Sequence, residues 1–415
     1  MLESDSFVCG QRFRRVMVEH VWIGLFTLSK GKTMNRLSNT DEIENPKTPP
    51  FCVGMDLGTY KTSVVASNGN RAVAQSIVGF PKDHIARAAL GCDVLFGSEV
   101  LDRRLSLDYV RPFQNGGLKY ADPAEAGVSA ERLDLHKQSA CLLINHIVSL
   151  VAPPPDVPVF GVIGVPSRAS IQNKQFIIEA ASQAFDAIIV VAEPFSVAYG
   201  MNLLTNVLVV DIGAGTTDLC PMYGSYPTDK DQITVPIGGS HIDEAFLRLM
   251  KDVYPNIPLS LRMAQQIKEK YGFVGDEVEQ ISVPLRIGGL PKQINVTAPL
   301  QAACSLIVQP VIEAIKTLIG SFDPEFQSSL LSNILLCGGG SQLQGFEKVI
   351  RKALEPYGAC DVTRANDCVF AGAAGALRLA MNMPQDHWNQ LTRNEPSSKT
   401  KAKPQSADSE MKVTA

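Results

Sequence analysis

The chain has 415 residues, of which 45% are apolar, 19% are charged and 32 are glycine. This composition is typical of a globular protein, and at roughly 150 residues per domain the length allows two or three domains. Lys and Arg total 38 against 42 Asp and Glu, so the net charge of -4 excludes a global basic field for binding nucleic acid or anionic lipid. An anionic ligand must therefore be bound by local geometry.

The two ends of the chain differ from its middle. Residues 1–50 carry no sustained hydrophobic period and end in a proline-rich stretch, which predicts a loosely ordered extension with Met34 as an alternative start. Its longest apolar run, 16–28, is interrupted by Glu19 and His20, so no run approaches the roughly 18 to 20 residues of a membrane span, although a short amphipathic anchor remains an alternative. Residues 392–415 have almost nothing apolar to bury and are expected to form a disordered tail.

The nine cysteines are scattered and include no C-x-x-C pair, so neither a disulfide framework nor a zinc site is expected. A reducing cytoplasm fits this pattern best. Between the two ends, short apolar runs alternate with longer helical patterns, which predicts an α/β fold with mixed sheets covered by helices. Strands are predicted at 51–56, 63–66, 159–164, 188–191, 207–211 and 334–337, and helices at 130–151, 170–184, 303–319 and 346–354. Another helix is predicted to begin at Ser240, where Ser-x-x-Asp forms an N-terminal capping signature.

One motif occurs twice. Each copy ends an apolar strand with Asp, turns through Gly and Thr, and enters another strand; the copies are 56–62 and 211–218. Successive backbone N–H groups in such a turn bind anions, glycine lets a phosphate approach the chain, and Thr hydroxyls add donors. Two ordinary β-hairpins are the alternative. The repetition favours two related half-domains whose turns face one phosphate-binding cleft.

A third glycine-rich turn follows the strand at 334–337. Gly338, Gly339 and Gly340 precede Ser341 and a helical pattern, an arrangement that brings the backbone against a nucleotide or simply packs tightly. The carboxylates of Asp56 and Asp211 cannot contact phosphate favourably by themselves. They are therefore expected to hold a magnesium ion through water.

In this order, the two hairpins and the G-G-G-S turn resemble the superfamily of two-domain ATPases that contains actin, chaperones and sugar kinases. The resemblance covers about residues 51–380. Within the superfamily, the chain is most similar to the bacterial actin-like proteins, and in particular to the group that builds magnetosome filaments. The segments similar to this group are 162–168, 193–200, 211–218, 321–327 and 384–388. Further segments similar to the superfamily as a whole are 192–200, 237–240 with Asp243, 267–271 and 370–376.

This resemblance implies an actin-like fold with domain I at 51–205, domain II at 206–391 including a returning C-terminal helix, and a nucleotide in the cleft between them. It also implies slow, assembly-coupled hydrolysis of ATP to ADP and phosphate, with Mg2+, and polymerisation into dynamic cytoplasmic filaments that position magnetosomes. The implied partners are further copies of the chain and magnetosome-associated adaptor proteins. Neither nucleic acid nor a membrane span is implied.

Residue roles follow from the same resemblance. Glu193 would orient or deprotonate the attacking water, unless its Glu-Pro pair merely begins a surface helix, and Asp211, with Asp56, would hold the water shell of magnesium. Tyr60 and Lys61 depart from the relatives, which carry smaller or less charged residues there, so Lys61 either neutralises a phosphate or is solvated at the hairpin edge. The residues expected to surround the nucleotide are Gly58, Thr59, Tyr60, Lys61, Thr62, Gly213, Ala214, Gly215, Thr216, Thr217, Lys268, Glu269, Gly338, Gly339, Gly340 and Ser341.

Three alternatives share the cleft. A monomeric sugar or acetate kinase would phosphorylate a small molecule, but the Glu-Pro pair and the short chain argue against it. A chaperone ATPase would append a long substrate-binding region, whereas only a short polar tail follows residue 391 here. A membrane-tethered scaffold would bind ATP with little turnover and would need an amphipathic end segment.

Overall fold

The computed structural model describes residues 49–114, 117–119, 129–276 and 279–392. The predicted N-terminal extension and C-terminal tail lie almost wholly outside the described residues. The strands are β1 (Phe51–Leu57), β2 (Lys61–Ala66), β3 (Arg71–Gln75), β4 (Val78–Pro81), β5 (Leu95–Phe96), β6 (Leu107–Val110), β7 (Phe113–Gln114), β8 (Gly117–Leu118), β9 (Val159–Val165), β10 (Ala187–Ala192), β11 (Thr205–Ile212), β12 (Thr217–Tyr223), β13 (Ile233–Val235), β14 (Ser282–Ile287), β15 (Leu290–Asn295), β16 (Ile334–Cys337) and β17 (Val362–Arg364). The α-helices are α1 (His84–Leu90), α2 (Ser98–Asp102), α3 (Ala130–Ser149), α4 (Ile171–Ala181), α5 (Glu193–Met201), α6 (Gly239–Val253), α7 (Leu261–Tyr271), α8 (Thr297–Ser305), α9 (Val308–Gly320), α10 (Pro324–Leu331), α11 (Phe346–Leu354), α12 (Ala371–Asn382) and α13 (Gln385–Thr392).

Two five-stranded sheets share one topology. The first has the order β10-β9-β1-β2-β3 and the second has the order β17-β16-β11-β12-β13. In each sheet, three antiparallel strands that follow one another along the chain continue into two parallel strands that arrive later. This repetition confirms the prediction of an α/β fold built from two related domains.

The hairpin registers place four polar side chains. Asp56 on β1 lies directly opposite Ser63 on β2, and Asp211 on β11 lies directly opposite Asp218 on β12. Directly opposite residues project from the same face of a sheet. Each strand-ending Asp therefore has one polar cross-strand neighbour, a hydroxyl in the first hairpin and a carboxylate in the second.

Each sheet is covered by its own helices. The first buries its apolar face against α3 and α4, and the second buries its face against a larger core that includes α6, α8, α9 and α11. The single helix predicted at 303–319 is in fact two, because α8 ends at Ser305 and α9 begins at Val308.

One stretch among the described residues, Thr297–Gly320, is long and apolar enough to cross a membrane by length and composition, and half of its most apolar window is buried. The sequence analysis expected no such run. Its buried side chains, among them Val311, Ile315 and Leu318, pack in the core of the second domain. This burial is typical of a core helix in a globular protein.

Two helices, α5 and α12, cross each other closely between the sheets. A side chain at Gly375 on α12 would overlap the carbonyl of Ser196 on α5, so only glycine allows this crossing. Farther along, α12 and α13 pack on the first sheet, where Trp388 joins a buried cluster with Phe160 and Cys52. The predicted domain II span of 206–391 therefore ends in a segment that returns to domain I and connects the two domains a second time.

Candidate functional site

The two hairpin turns and the Gly338–Gly340 turn enclose a cavity of about 420 Å³ between the domains. Both domains contribute to its walls. Of the residues predicted to bind a nucleotide or a metal, those that line it are Asp56, Gly58, Thr59, Tyr60, Lys61, Glu193, Asp211, Gly213, Ala214, Lys268, Glu269, Gly338, Gly339 and Gly340.

Three of the five carboxylates that line this cavity come from the two hairpins and the start of α5. Asp56 is the last residue but one of β1, Asp211 is the last residue but one of β11, and Glu193 begins α5, where its side chain is buried and not on the surface. Burial raises the pKa of Asp56 to about 6 and, together with the charges of Asp56 and Asp218, raises the pKa of Asp211 to about 8. Burial and then the charges of Asp56 and Asp211 raise the pKa of Glu193 well above its usual value.

Such a cluster favours a cation, because a nearby positive charge would stabilise the ionised carboxylates. Among the described residues, no three metal-binding side chains stand close enough to hold an ion directly. Asp56 and Asp211 therefore fit a magnesium ion that is bound through water, as predicted, and such an ion would neutralise charge on a polyphosphate. Their role as magnesium residues stays a prediction.

The hydroxyls of Thr62 and Ser76 support the first hairpin turn through hydrogen bonds. Thr62 does not line the cavity, because its Oγ1 is buried and lies 2.9 Å from Ser76 Oγ, which in turn donates to the Gly58 carbonyl at 2.7 Å. Tyr60 does line the cavity, and the guanidinium of Arg111 stacks 4.5 Å from its ring centre. In the first hairpin turn, the hydroxyl of Thr62 is therefore bonded to another side chain of the protein and does not face the cavity.

Lys61 reaches across the cleft to the other domain. Its Nζ lies 2.9 Å from Oε1 of Glu269 on α7, and each side chain is 43% exposed. The sequence analysis left two possibilities for Lys61, a phosphate contact or free solvation at the hairpin edge. The structure shows a third, an ion pair between the domains.

The second hairpin turn faces the cavity with Gly213 and Ala214, whereas Gly215, Thr216 and Thr217 do not line it. Thr216 Oγ1 donates to Asp218 at 2.9 Å and Thr217 Oγ1 donates to the Ile237 carbonyl at 2.8 Å. The two hydroxyls predicted to bind phosphate are therefore used inside the second domain.

The start of α6 packs against this second turn. The prediction that Ser240 caps the helix is wrong, because α6 begins at Gly239 and Ser240 Oγ donates to the Ala214 carbonyl at 2.7 Å. Gly238 precedes the helix and donates its N–H to His241 Nδ1 at 3.1 Å. The Ser-x-x-Asp pattern thus marks the helix correctly, but its hydroxyl holds the turn and not the helix end.

A buried ion pair fixes α7 to α6. Lys268 Nζ lies 2.9 Å from Asp243 Oδ1 and donates to the Gly239 carbonyl at 2.8 Å. Burial raises the pKa of Asp243 to about 6, even though the Lys268 charge opposes this shift. Lys268 also lines the cavity, so its predicted contact with a nucleoside would come from a side chain that is already held in place.

The third turn approaches Asp211 from β16, the parallel neighbour of β11 on the side away from β12. Gly338 has φ of 76°, and a side chain there would overlap the Asp211 carboxylate, so this position requires glycine. Ser341 does not line the cavity, because it is buried and its Oγ donates to the Gly338 carbonyl at 2.7 Å. Like Thr62, Ser341 supports a turn from behind.

The remaining lining residues were not predicted as site residues. The hairpin register could have indicated Ser63, which lies opposite Asp56, and helical spacing could have indicated Gln265, four residues before Glu269. No sequence pattern indicated that Cys368 and Val369, in the loop before α12, line the cavity. The residues not predicted are Ser63, Val73, Ser240, Ile242, Asp243, Gln265, Gln342, Leu343, Cys368 and Val369.

Comparison with known proteins agrees with this architecture. Residues 51–385 match the family model of the MreB/Mbl protein. The chain is 38% identical over 339 residues to the actin-like protein MamK of Paramagnetospirillum magneticum, which covers 82% of this chain and 94% of the relative.

Solved structures agree as well. A MamK double helical filament superposes with a TM-score of 0.75 and 37% identity, covering 80% of this chain and 99% of that chain. A non-polymerising MamK mutant bound to AMPPNP gives a TM-score of 0.61 at 37% identity, with coverage of 80% and 99%. The chain therefore belongs to the MreB/Mbl family of actin-like proteins.

Proposed function

We propose that this protein is a cytoskeletal ATPase that binds ATP in the cavity between its two hairpin turns and polymerises into cytoplasmic filaments. The observation that carries the proposal is the convergence of two equivalent strand-ending carboxylates, Asp56 and Asp211, with Glu193 at one cavity. The AMPPNP-bound relative supports a nucleotide there, and the MamK filament supports self-assembly.

Hydrolysis of a terminal phosphate requires an oriented water and charge stabilisation more than covalent chemistry. Glu193 is suited to accept the proton of that water, because it lines the cavity at the start of α5 and because burial raises the pKa of its carboxyl, which increases its affinity for a proton. Gly58, Gly213 and Gly338 allow the backbone to approach phosphate oxygens. Asp56 and Asp211 would hold the water shell of Mg2+, which when bound supplies positive charge to the phosphates.

Hydrolysis is expected to be slow until subunits assemble, so that filaments form with ATP and become dynamic as ADP accumulates. By its similarity to MamK, the protein would align magnetosomes in the cytoplasm through adaptor proteins on those organelles. Localisation of a fluorescent fusion along the magnetosome chain, and scattering of magnetosomes after gene deletion, would support this role. Normal magnetosome positions after deletion would contradict it.

The ATPase proposal is tested by electron microscopy and phosphate release on purified protein with magnesium and ATP. Glu193→Gln keeps the side-chain volume and removes the carboxylate, and Glu193→Ala removes both. We expect filaments from the wild type and both variants, with phosphate release reduced about 10²- to 10⁴-fold in the variants. Monodisperse monomers under every nucleotide condition would contradict the filament proposal, and phosphate transfer that requires an added sugar would indicate a kinase.

A further inference from the structure

One face of α7 makes two ion pairs with domain I at the mouth of the cavity. Glu269 pairs with Lys61 of the first hairpin at 2.9 Å, and Arg262 pairs with Asp102 at the end of α2 at 3.3 Å. Positions seven residues apart lie on the same face of a helix, so Arg262 and Glu269 both face domain I. The two pairs have opposite polarity along α7, which fixes how this face meets domain I.

The Glu269 carboxylate is oriented for its partner. Gln265, one turn earlier on α7, donates from Nε2 to the same Oε1 that Lys61 contacts, at 3.1 Å. The neighbouring Lys268 points the other way and binds Asp243 and the Gly239 carbonyl inside domain II. The helix that receives Lys61 is therefore itself anchored beside the second hairpin turn.

This arrangement links the two phosphate turns around the cavity. On one side, Lys61 belongs to the first turn; on the other, α6 contacts the second turn through the Gly239 N–H, which donates to the Gly213 carbonyl at 3.0 Å. Because both side chains are 43% exposed, this link borders solvent, and a nucleotide between the turns would lie beside it. Both residues of the Lys61–Glu269 pair line the cavity, so the pair lies at its wall.

We propose that Lys61 and Glu269 form a latch that controls how fast nucleotide leaves the cleft, with Arg262 and Asp102 as a second, outer clasp. Lys61 acts through Glu269 and is a positioning residue; it does not bind a phosphate. The inference rests on the proposed function only in requiring that a nucleotide occupies this cavity.

The test uses the full-length protein loaded with a fluorescent ATP analogue and magnesium, and chased with excess ATP in a stopped-flow instrument. Lys61→Glu and Glu269→Lys each break the pair, and the double variant restores it with reversed polarity. Because each side chain is partly exposed, we expect each single change to accelerate release about two- to fivefold, and the double variant to return near the wild-type rate. Arg262→Glu should accelerate release less.

A matched control is the Arg87–Asp93 pair, which is also exposed, at 2.8 Å, but lies wholly within domain I. Asp93→Lys should leave the release rate unchanged. Raising the salt concentration should accelerate release from the wild type towards the rate of Lys61→Met, and should affect Lys61→Met much less, because salt screens exposed charges.

A direct phosphate contact by Lys61 would give a different pattern. Lys61→Glu would then weaken nucleotide binding without rescue by Glu269→Lys, and Glu269→Ala would slow release by freeing Lys61 for the phosphate. Either result would overturn the latch. A wild-type protein that binds no analogue would instead overturn the proposed nucleotide site, and equilibrium binding measured first distinguishes the two failures.

Discussion

The two hairpins at the cavity have the same strand pairing, yet they contact the opposite domain in different ways. In the second hairpin, the carboxylate of Asp218 is buried and accepts hydrogen bonds from the backbone of Ser167 in domain I at 2.9 Å and from two Thr hydroxyls. In the first hairpin, the equivalent position is Ser63, whose buried hydroxyl has no partner among the described residues. Here the contact with the other domain is made by the exposed Lys61.

This difference shows how a duplicated unit can serve two mechanical purposes. Separating the domains would deprive the buried Asp218 carboxylate of the Ser167 N–H, its donor from domain I, while both Thr donors belong to domain II. Breaking a buried hydrogen bond to a carboxylate is costly, so the second hairpin holds the domains together at the base of the cleft. An exposed ion pair is weak and salt-sensitive, so the first hairpin can release the other domain at the mouth. The base of the cleft is therefore expected to behave as a hinge and the mouth as a gate.

The largest expected difference between the hairpins is in pH dependence. Burial raises the pKa of Asp211 to about 8 and that of Asp56 to about 6, from 3.8 for a solvent-exposed Asp as in the unfolded chain, so the folded state binds more protons between 3.8 and these values and loses stability as pH rises through that range. The loss reaches up to about 1.4 kcal/mol per pH unit for one group. In urea unfolding without nucleotide or magnesium, Asp211→Asn should remove this residue's share of the loss between pH 4 and 8, and Asp56→Asn its share between pH 4 and 6. The shares of Glu193 and Asp243, whose pKa values are also raised by burial, should remain.

Asp93→Asn, at an exposed position, is the control and should keep the wild-type pH dependence. Equal slopes for wild type and Asp211→Asn would show that burial does not raise the pKa of this carboxyl.

The hinge is tested by Asp218→Ala. This change leaves the Ser167 N–H and the hydroxyls of Thr216 and Thr234 without their acceptor in a buried environment. We expect it to lower the free energy of unfolding by about 3 kcal/mol, measured by chemical denaturation, because each unpaired buried group costs about 1–3 kcal/mol. A loss below about 1 kcal/mol would mean that water replaces the carboxylate.

A smaller effect is expected where the two hairpins are alike. Thr62 and Thr217 each lie six residues after the strand-ending Asp, and each hydroxyl makes one buried bond, to Ser76 Oγ and to the Ile237 carbonyl. Thr62→Val and Thr217→Val should each cost about 1 kcal/mol by denaturation. Neither should change nucleotide affinity, because neither residue lines the cavity; a tenfold loss of affinity would restore their predicted role at the phosphates.

Much of this organisation could be predicted from the sequence, and the limits are physical. The ends of the six predicted strands agree within about two residues with β1, β2, β9, β10, β11 and β16, whereas the other described strands were not predicted. The repeated motif predicted the duplicated fold. The break between α8 and α9 did leave a signal that the prediction of one helix overlooked, because Pro310 lies in the first turn of α9 and proline ends or kinks a continuous helix. The partner of Lys61 is 208 residues away, and such a contact depends on how two domains meet, which no local pattern records.

The smallest expected effect is at Ser63, and it sharpens the comparison with Asp218. Because the Ser63 hydroxyl is buried without a partner among the described residues, Ser63→Ala removes a desolvated polar group and no hydrogen bond. We expect the stability of the nucleotide-free protein to change by less than about 0.5 kcal/mol, or to rise slightly, in contrast to the loss at Asp218. A loss above about 1 kcal/mol in denaturation would show that Ser63 bonds to Asp56 or to water, and that the first hairpin is held internally like the second.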